Sequence, residues 1–368
     1  MTRLSVEDLT ERIHTLTPGD RTVRIMNVCG SHEHTIAFSG MRSLLPRNLE
    51  LIPGPGCPVC VCPESDIINA IRLSKRQDVI LVTYGDMLRV PSREGSIRAG
   101  GGNYRIITSP FEAVRIARAN PRRKIVFFSI GFETTTAPAA AVLESGVPGN
   151  LYMLCSHRLT PAIMETLVRD AETGIDGFIA PGHVSAIVGS DAWNVFPAKY
   201  GIPAVVAGFE AENLLLGISD ILARLGRREV RAGNVYGRVV RPGGNVRAQE
   251  LMNKYFEVAD VNWRGIGSVP SSGLELREEY GGRDARKVFG LGEVKEEKIP
   301  GCICGDIILG RAYPSACGLF GMACNPQSPA GPCMVSVEGA CNIWYRTKKD
   351  RGNLPAKRDF KTEGRFIT

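Results

Sequence analysis

No run of eighteen apolar residues occurs in the 368-residue chain, so a membrane-spanning helix is not expected. The opening MTRLSVEDLTERIHTL lacks an apolar centre and carries acids early, and reads as an amphipathic helix, not a signal peptide. A P-loop and a G-x-G-x-x-G fingerprint are both missing, which removes the usual signs of phosphate and dinucleotide binding. The C-x-x-x-C-x-x-C spacing of radical enzymes is absent, and C-x-x-C occurs once, so a paired zinc knuckle has no second half. The net charge of +7 is mild for this length. Basic residues crowd only at Arg346, Lys348, Lys349, Arg351, Lys357 and Arg358, with no aromatic among them, so a solvated tail is expected and not a nucleic-acid grip. No short-period repeat is found.

What is present is a composition typical of globular domains, 43% hydrophobic and 23% charged, with 41 glycines, 23 prolines and eleven cysteines. A cytoplasmic location is expected, where thiols stay reduced and this many cysteines point to metal or redox chemistry. Apolar runs and helical patterns alternate for about the first 225 residues. Strands are expected at 24–28, 79–83, 124–130, 151–155, 178–180 and 204–207. Helices are expected at 37–45, 110–119, 137–144, 161–170 and 210–225. This alternation argues for parallel sheets with covering helices. It suggests two α/β domains, 20–120 and 121–240, with a seam at Asn-Pro-Arg-Arg-Lys near residue 120. Beyond 240 the periodic strands fade, and 241–368 is expected to be a smaller domain organised around metal, with helix 1–19 packed on it.

Six cysteines fall within residues 302–341: Cys302, Cys304, Cys317, Cys324, Cys333 and Cys341. Thiolates are soft ligands suited to iron–sulfur clusters and to zinc. A cubane needs four, so two are spare. The glycines and prolines between them let the backbone wrap closely and offer amide N–H groups to sulfide. The long, unequal gaps favour a cluster over a structural zinc site, which remains the alternative.

Near the start, NVCGSHEHT at 27–35 follows a strand and places Cys29, His32, Glu33 and His34 where open α/β sheets bind ligands. A thiolate and an imidazole three residues apart suit one divalent metal; a buried cysteine with surface histidines is the plainer reading. PGPGCPVCVCPE follows. Cys57 and Cys60 form a C-x-x-C held in a rigid turn by Pro and Gly, a redox dithiol or a metal pair. Glu133 and His183 lie at expected strand ends, where both could line one crevice.

Cys-Gly-Ser-His-Glu-His at 29–34, Gly-Pro-Gly-Cys-Pro-Val-Cys at 54–60, Gly-Phe-Glu-Thr-Thr-Thr at 131–136, Pro-Gly-His-Val-Ser at 181–185 and Cys-Met-Val-Ser-x-Glu-Gly-x-Cys at 333–341 together resemble the HypD family of hydrogenase formation proteins, across nearly the whole chain. The resemblance implies two related α/β domains, a third domain with a [4Fe–4S] cluster, and a scaffold on which the Fe(CN)2CO group of [NiFe] hydrogenases is assembled for delivery to the large subunit. It implies a small HypC-type chaperone as partner and a HypE/HypF-type cyanide donor. Carried over by position, Cys29 is the iron ligand with His32 and Glu33 beside it, and Cys57 and Cys60 are a redox dithiol. The cluster ligands fall on Cys302, Cys317, Cys324 and Cys341, and Cys304 and Cys333 form a redox pair. Releasing cyanide from a thiocarboxamide carrier needs electrons, and three cysteine groups offer a relay for them, with the active iron some distance from the cluster. Cys62 and Cys155 have no family role and are expected to be small buried residues. The other readings are an Fe–S protein disulfide reductase and a zinc-bound interaction protein.

Overall fold

The computed structural model describes residues 4–347 except 171, 293 and 298; the basic tail beyond Thr347 lies outside the described residues. Eleven strands form two sheets. They are β1 (Val23–Asn27), β2 (Leu49–Pro53), β3 (Val79–Thr83), β4 (Tyr104–Ile106), β5 (Lys124–Gly131), β6 (Leu151–Arg158), β7 (Gly177–Pro181), β8 (Ala204–Ala207), β9 (Gly233–Asn234), β10 (Phe256–Trp263) and β11 (Gly267–Leu276). The first sheet runs β2-β1-β7-β8-β9, and every pairing in it is parallel. The second runs β10-β11-β6-β5-β3-β4, parallel from β6 to β4 and antiparallel at β10 and β11. The protein is therefore α/β with two parallel-dominated sheets.

The central strands are continuous apolar runs because helices cover both faces. In β5, Ile125 to Gly131 are all buried. Covering helices begin where short polar side chains can accept the first free N–H groups. Ser5 and Asp8 close a capping box before Val6–Leu16, and Ser109 and Glu112 close one before Pro110–Ala119, with Pro110 in the first turn.

Each sheet takes strands from both halves of the chain. β4 and β5 lie on either side of residue 120 in one sheet, while β1 and β7, far apart in sequence, pair in the other. A seam at 120 therefore does not separate the sheets. The strands also do not fade after 240. β10 and β11 form a hairpin that extends the second sheet through the pairing of Gly273 with Arg158. Its alternating burial, with Glu257 exposed, and the bulge at Asp260 hide it from a search for apolar runs. At the bulge the Asp260 carboxylate accepts from the Ser271 N–H at 2.7 Å, and Ser271 has φ 50°.

Helix Val6–Leu16 packs on the first sheet's side of the molecule and not on the cysteine-rich region. Leu9 and Ile13 are buried in one cluster with Leu214, Ile218 and Ile221 of helix Ala211–Arg227. A different cluster joins the cysteine-rich end to both sheets, bringing Ile307, Ile308 and Met334 against Met26, Ile52 and Phe128. Among the described residues no helix is long and apolar enough to cross a membrane. Ile13 is fully buried, so Ile13→Ala should lower unfolding stability by about 2–5 kcal/mol, read from urea denaturation.

Candidate functional site

β1 ends at Asn27, and Cys29 stands at the N-terminus of helix Gly30–Phe38 with extended backbone. Two other chain segments close on it, and glycine permits each approach. A Cβ on Gly56 would lie 2.4 Å from the backbone N of Cys29, and one on Gly30 would lie 2.5 Å from both Cβ and O of Glu338. The Gly54 N–H donates to the Asn27 carbonyl at 2.8 Å, and the Gly30 N–H to the Gly56 carbonyl at 3.3 Å. These contacts place Cys29, Cys57, Cys60, Cys333 and Glu338 around one narrow cleft of about 10 Å³, room for about one water. Cys333 thus lines the same cleft as the N-terminal cysteines instead of lying in a remote domain.

Cys57 and Cys60 form a disulfide across the short helix Pro58–Val61, with Cα atoms 5.4 Å apart. The Cys60 N–H donates to the Cys57 sulfur at 3.3 Å. Burial, and next the Glu338 charge, push the Cys29 thiol up to about 11. Burial raises Glu338 too, helped by Asp86.

Glu33 lines the cleft but is fully engaged. Its carboxylate accepts from Asn27 Nδ2 at 2.9 Å, from Arg42 at 2.8 and 2.9 Å, and from Trp344 Nε1 at 2.7 Å. This buried pair ties helix Gly30–Phe38 to the closing helix Ala340–Arg346. His32 does not join Cys29. Its ring turns to the Ala207 carbonyl, 3.2 Å from Nε2, and packs near Phe209. Burial holds its pKa down to about 4. His34 stacks on Phe38 at 4.1 Å. Glu133 and His183 have different partners. Glu133 accepts from the N–H and hydroxyl of Thr160 beside the second sheet, its pKa pushed up to about 7 by burial, whereas His183 packs on Phe209 beside the first.

At the cysteine-rich end the Cys302 and Cys304 sulfurs are 3.2 Å apart. Cys304, Cys333 and Cys341 are in mutual thiol contact, which lowers the Cys333 pKa and raises that of Cys341. Cys324 accepts from the Ala330 N–H at 3.3 Å, and Cys317 donates to the Gly301 carbonyl at 3.7 Å. A Cβ on Gly331 would lie within 3 Å of both the Cys302 and Cys304 sulfurs. Among the described residues no group of three or more His, Cys, Asp or Glu side chains converges on a single ion. A cubane spreads its four thiolates over different irons, and this all-sulfur donor set with its glycine cradle fits one. Cys62 and Cys155 are buried as expected, Cys62 within 3.5 Å of Ser156 Oγ.

Sequence reading missed Glu338, Arg42 and Trp344. Glu338 lay within a quoted motif, but nothing local to it indicated contact with Gly30.

The fold and site define a two-sheet α/β protein whose cysteines from both ends of the chain converge at one cleft. The HypD family model, described as the hydrogenase formation hypA family, matches residues 5–348. The chain is 42% identical over 361 residues to hydrogenase maturation factor HypD of Azotobacter vinelandii, covering 94% of this chain and 95% of that protein. It is 40% identical over 352 residues to HypD of Escherichia coli strain K12, covering 94% of each. A putative hydrogenase expression/formation protein of Methanocaldococcus jannaschii is 42% identical over 353 residues, 94% of this chain and 98% of that one. The chain belongs to the HypD family of hydrogenase maturation factors.

Two outcomes follow from the buried groups. Glu33→Gln leaves Arg42 buried without its counter-charge and should cost about 3–5 kcal/mol, against about 1–2 kcal/mol for Trp344→Phe, both read by denaturant unfolding. His32 is neutral when folded down to about pH 4 but takes a proton near 6.5 when unfolded. The unfolded chain thus binds more protons between these values, and stability present above pH 6.5 is lost as pH falls towards 4. In His32→Asn the slope of stability against pH in that window should be shallower by about one proton. An unchanged slope would count against the buried neutral imidazole.

Proposed function

We propose that the chain is a cytoplasmic scaffold on which the Fe(CN)2CO group is assembled, with iron as substrate at Cys29 and the Cys57–Cys60 pair supplying electrons beside it. The observation that carries this reading is the single cleft shared by Cys29, the Cys57–Cys60 disulfide and Cys333. Iron bearing cyanide and CO needs few protein ligands, so one thiolate here and one from a partner suffice. Burial keeps the Cys29 thiol protonated, so iron binding must displace that proton. Glu338, on the same cleft and itself raised by burial, is placed to take it.

Cys302, Cys317, Cys324 and Cys341 would hold a [4Fe–4S] cluster, with Cys304 and Cys333 as a thiol pair. Cys304 is in thiol contact with Cys333, as that pairing requires, and also with Cys302 and Cys341. The cluster, when bound, supplies single electrons. Cys333 lines the Cys29 cleft, so the pair spans the space between the cluster cysteines and the iron substrate. The Cys60 sulfur also lies 4.0 Å from the Pro332 carbonyl, next to Cys333. A HypC-type chaperone supplies the second iron ligand, and a HypE/HypF-type donor supplies cyanide; membership of the family supports both partners.

Infrared spectroscopy on protein copurified anaerobically with its small partner tests this reading. Cyanide and CO stretching bands are expected, and they should vanish in Cys29→Ala. Cys57→Ala or Cys60→Ala should abolish hydrogenase maturation; normal maturation in either would sink the electron supply. Metal analysis should give about four irons per chain beyond any at Cys29, and zinc in their place would turn the cysteine-rich end into a structural site.

A further inference from the structure

A second cavity, of about 410 Å³, lies on the other side of the disulfide. Cys60, Cys302 and Cys304 line it, together with Arg264, Glu64 and Glu296. Arg264 stands at the turn between β10 and β11. Its backbone N–H donates to the Val61 carbonyl at 3.0 Å, which fixes it to the short helix that carries Cys60. The same turn rests on the start of helix Cys304–Ile308. A Cβ on Gly265 would lie 3.0 Å from Cα of Gly305, and one on Gly305 would lie 2.3 Å from the Gly265 carbonyl oxygen. One residue is thereby clamped between the disulfide and the Cys302/Cys304 pair.

Its charge has no ion-pair partner among the described residues, although it bears on Glu296 and Cys62. Arg264 is 7% exposed. Nη2 donates to the Pro91 carbonyl at 2.8 Å, while Nη1 is buried without a partner. Among the described residues no carboxylate is within ion-pairing distance of it. Two of the cavity's acids accept from backbone N–H groups. Glu296 accepts from the Glu64 N–H at 2.7 Å, and Glu64 accepts from the N–H groups of Arg93 and Glu297. A buried guanidinium with a free N–H is costly unless an anion faces it. Glu297, which pairs with Arg93, and Asp306 also line the cavity, and its sulfurs are further groups able to become anions.

We propose that Arg264 is a positioning residue that sets the electron affinity of the Cys57–Cys60 pair, its free Nη1 supplying the positive charge against which Cys60 becomes a thiolate when the disulfide opens. This rests on the redox role given to that pair above. The electrons come from a dithiol, R(SH)2. Two electrons pass to the Cys57–Cys60 bond, which breaks, and the reductant closes to its own disulfide. Of the two protons the reductant gives up, one stays on Cys57 and one leaves to solvent, so that R(SH)2 and the disulfide become RS2, the Cys57 thiol, the Cys60 thiolate and a proton. Cys302 and Cys304 line the same cavity as Cys60, so one cation faces both sulfur groups between which electrons move.

The test equilibrates the purified full chain with mixtures of reduced and oxidised dithiothreitol under anaerobic conditions. Alkylation of Cys57 and Cys60 is then counted by mass spectrometry. Arg264→Gln should lower the equilibrium constant for reduction by about tenfold or more, as expected for losing a charge on the same partly desolvated cavity. Arg264→Lys, which keeps the charge, should lower it by about threefold or less. Ile266→Glu leaves every Arg264 hydrogen bond in place and adds an opposing charge to the same cavity. It should shift the equilibrium in the same direction as Gln, and it answers the question if Arg264→Gln does not fold. A merely structural arginine would lower the unfolding midpoint in the Gln and Lys variants alike and leave the equilibrium constant within twofold of the parent, and that result would overturn the proposal. The equilibrium is read on the chain alone, so its outcome is independent of the maturation assay that tests the wider reading.

Discussion

The buried carboxylate of Glu33 is the contact on which the rest of the centre depends. It accepts hydrogen bonds from three elements: Asn27 at the end of β1 and Arg42 in the short helix Met41–Leu44, both near it in sequence, and Trp344 in the closing helix at the far end of the chain. Arg42 also stacks over the Trp344 ring, 5.3 Å from its centroid. A charge out of water is held only where its partners are fixed. Satisfying this one fixes where the chain's last described helix sits relative to its first parallel strand. Cys29 is close in sequence to Asn27 and Glu33, and the closing helix holds the segment of Cys333 through the Asn342 side chain, which donates to the Met334 carbonyl at 2.8 Å, so the clamp helps bring both cysteines to one cleft.

Glycine does the complementary work. The clamp sets which segments meet, and Gly30, Gly54 and Gly56 set how closely. At Gly56 even a methyl group would occupy the space of the Cys29 backbone, and at Gly30 it would occupy that of Glu338. The Gly-Pro-Gly-Cys-Pro-Val-Cys segment can therefore be understood without any ligand. Its glycines answer to backbone contact, its prolines to a turn that must not open, and Pro58 to the first position of a short helix.

Much of the fold was legible because buried parallel strands are apolar throughout. β3, β5 and β8 stand out for that reason, and so do the helices whose starts carry Pro or a capping box. The β10–β11 hairpin was not legible. Its outer face is polar, and its bulge depends on an Asp260–Ser271 hydrogen bond that no periodicity reveals. The seam at residue 120 was misplaced because local punctuation says nothing about which strands pair. Cys29, Cys57 and Cys60 could be chosen from the sequence by type and spacing. The roles of His32 and Glu33 could not, since adjacent residues on a helix face different neighbours: Glu33 towards Arg42 and Trp344, and His32 towards Ala207.

The eleven cysteines are distinguished by what surrounds each sulfur. Cys155 and Cys62 sit within packed β-sheet surroundings, where burial pushes the thiol pKa upward, to about 12 for Cys62. Such thiols behave as small apolar groups. Cys29 is also held protonated, at about 11, but it stands on a cleft with a carboxyl beside it. Burial alone therefore does not separate a structural thiol from a working one. What sets Cys29 apart is the cleft it shares with Glu338, whereas Cys62 is enclosed even though the charges of Arg158 and Arg264 bear on it. For Cys155 the charges nearest to it already pair with one another, Arg286 with Asp66 at 2.7 Å, and none is left over to hold a thiolate.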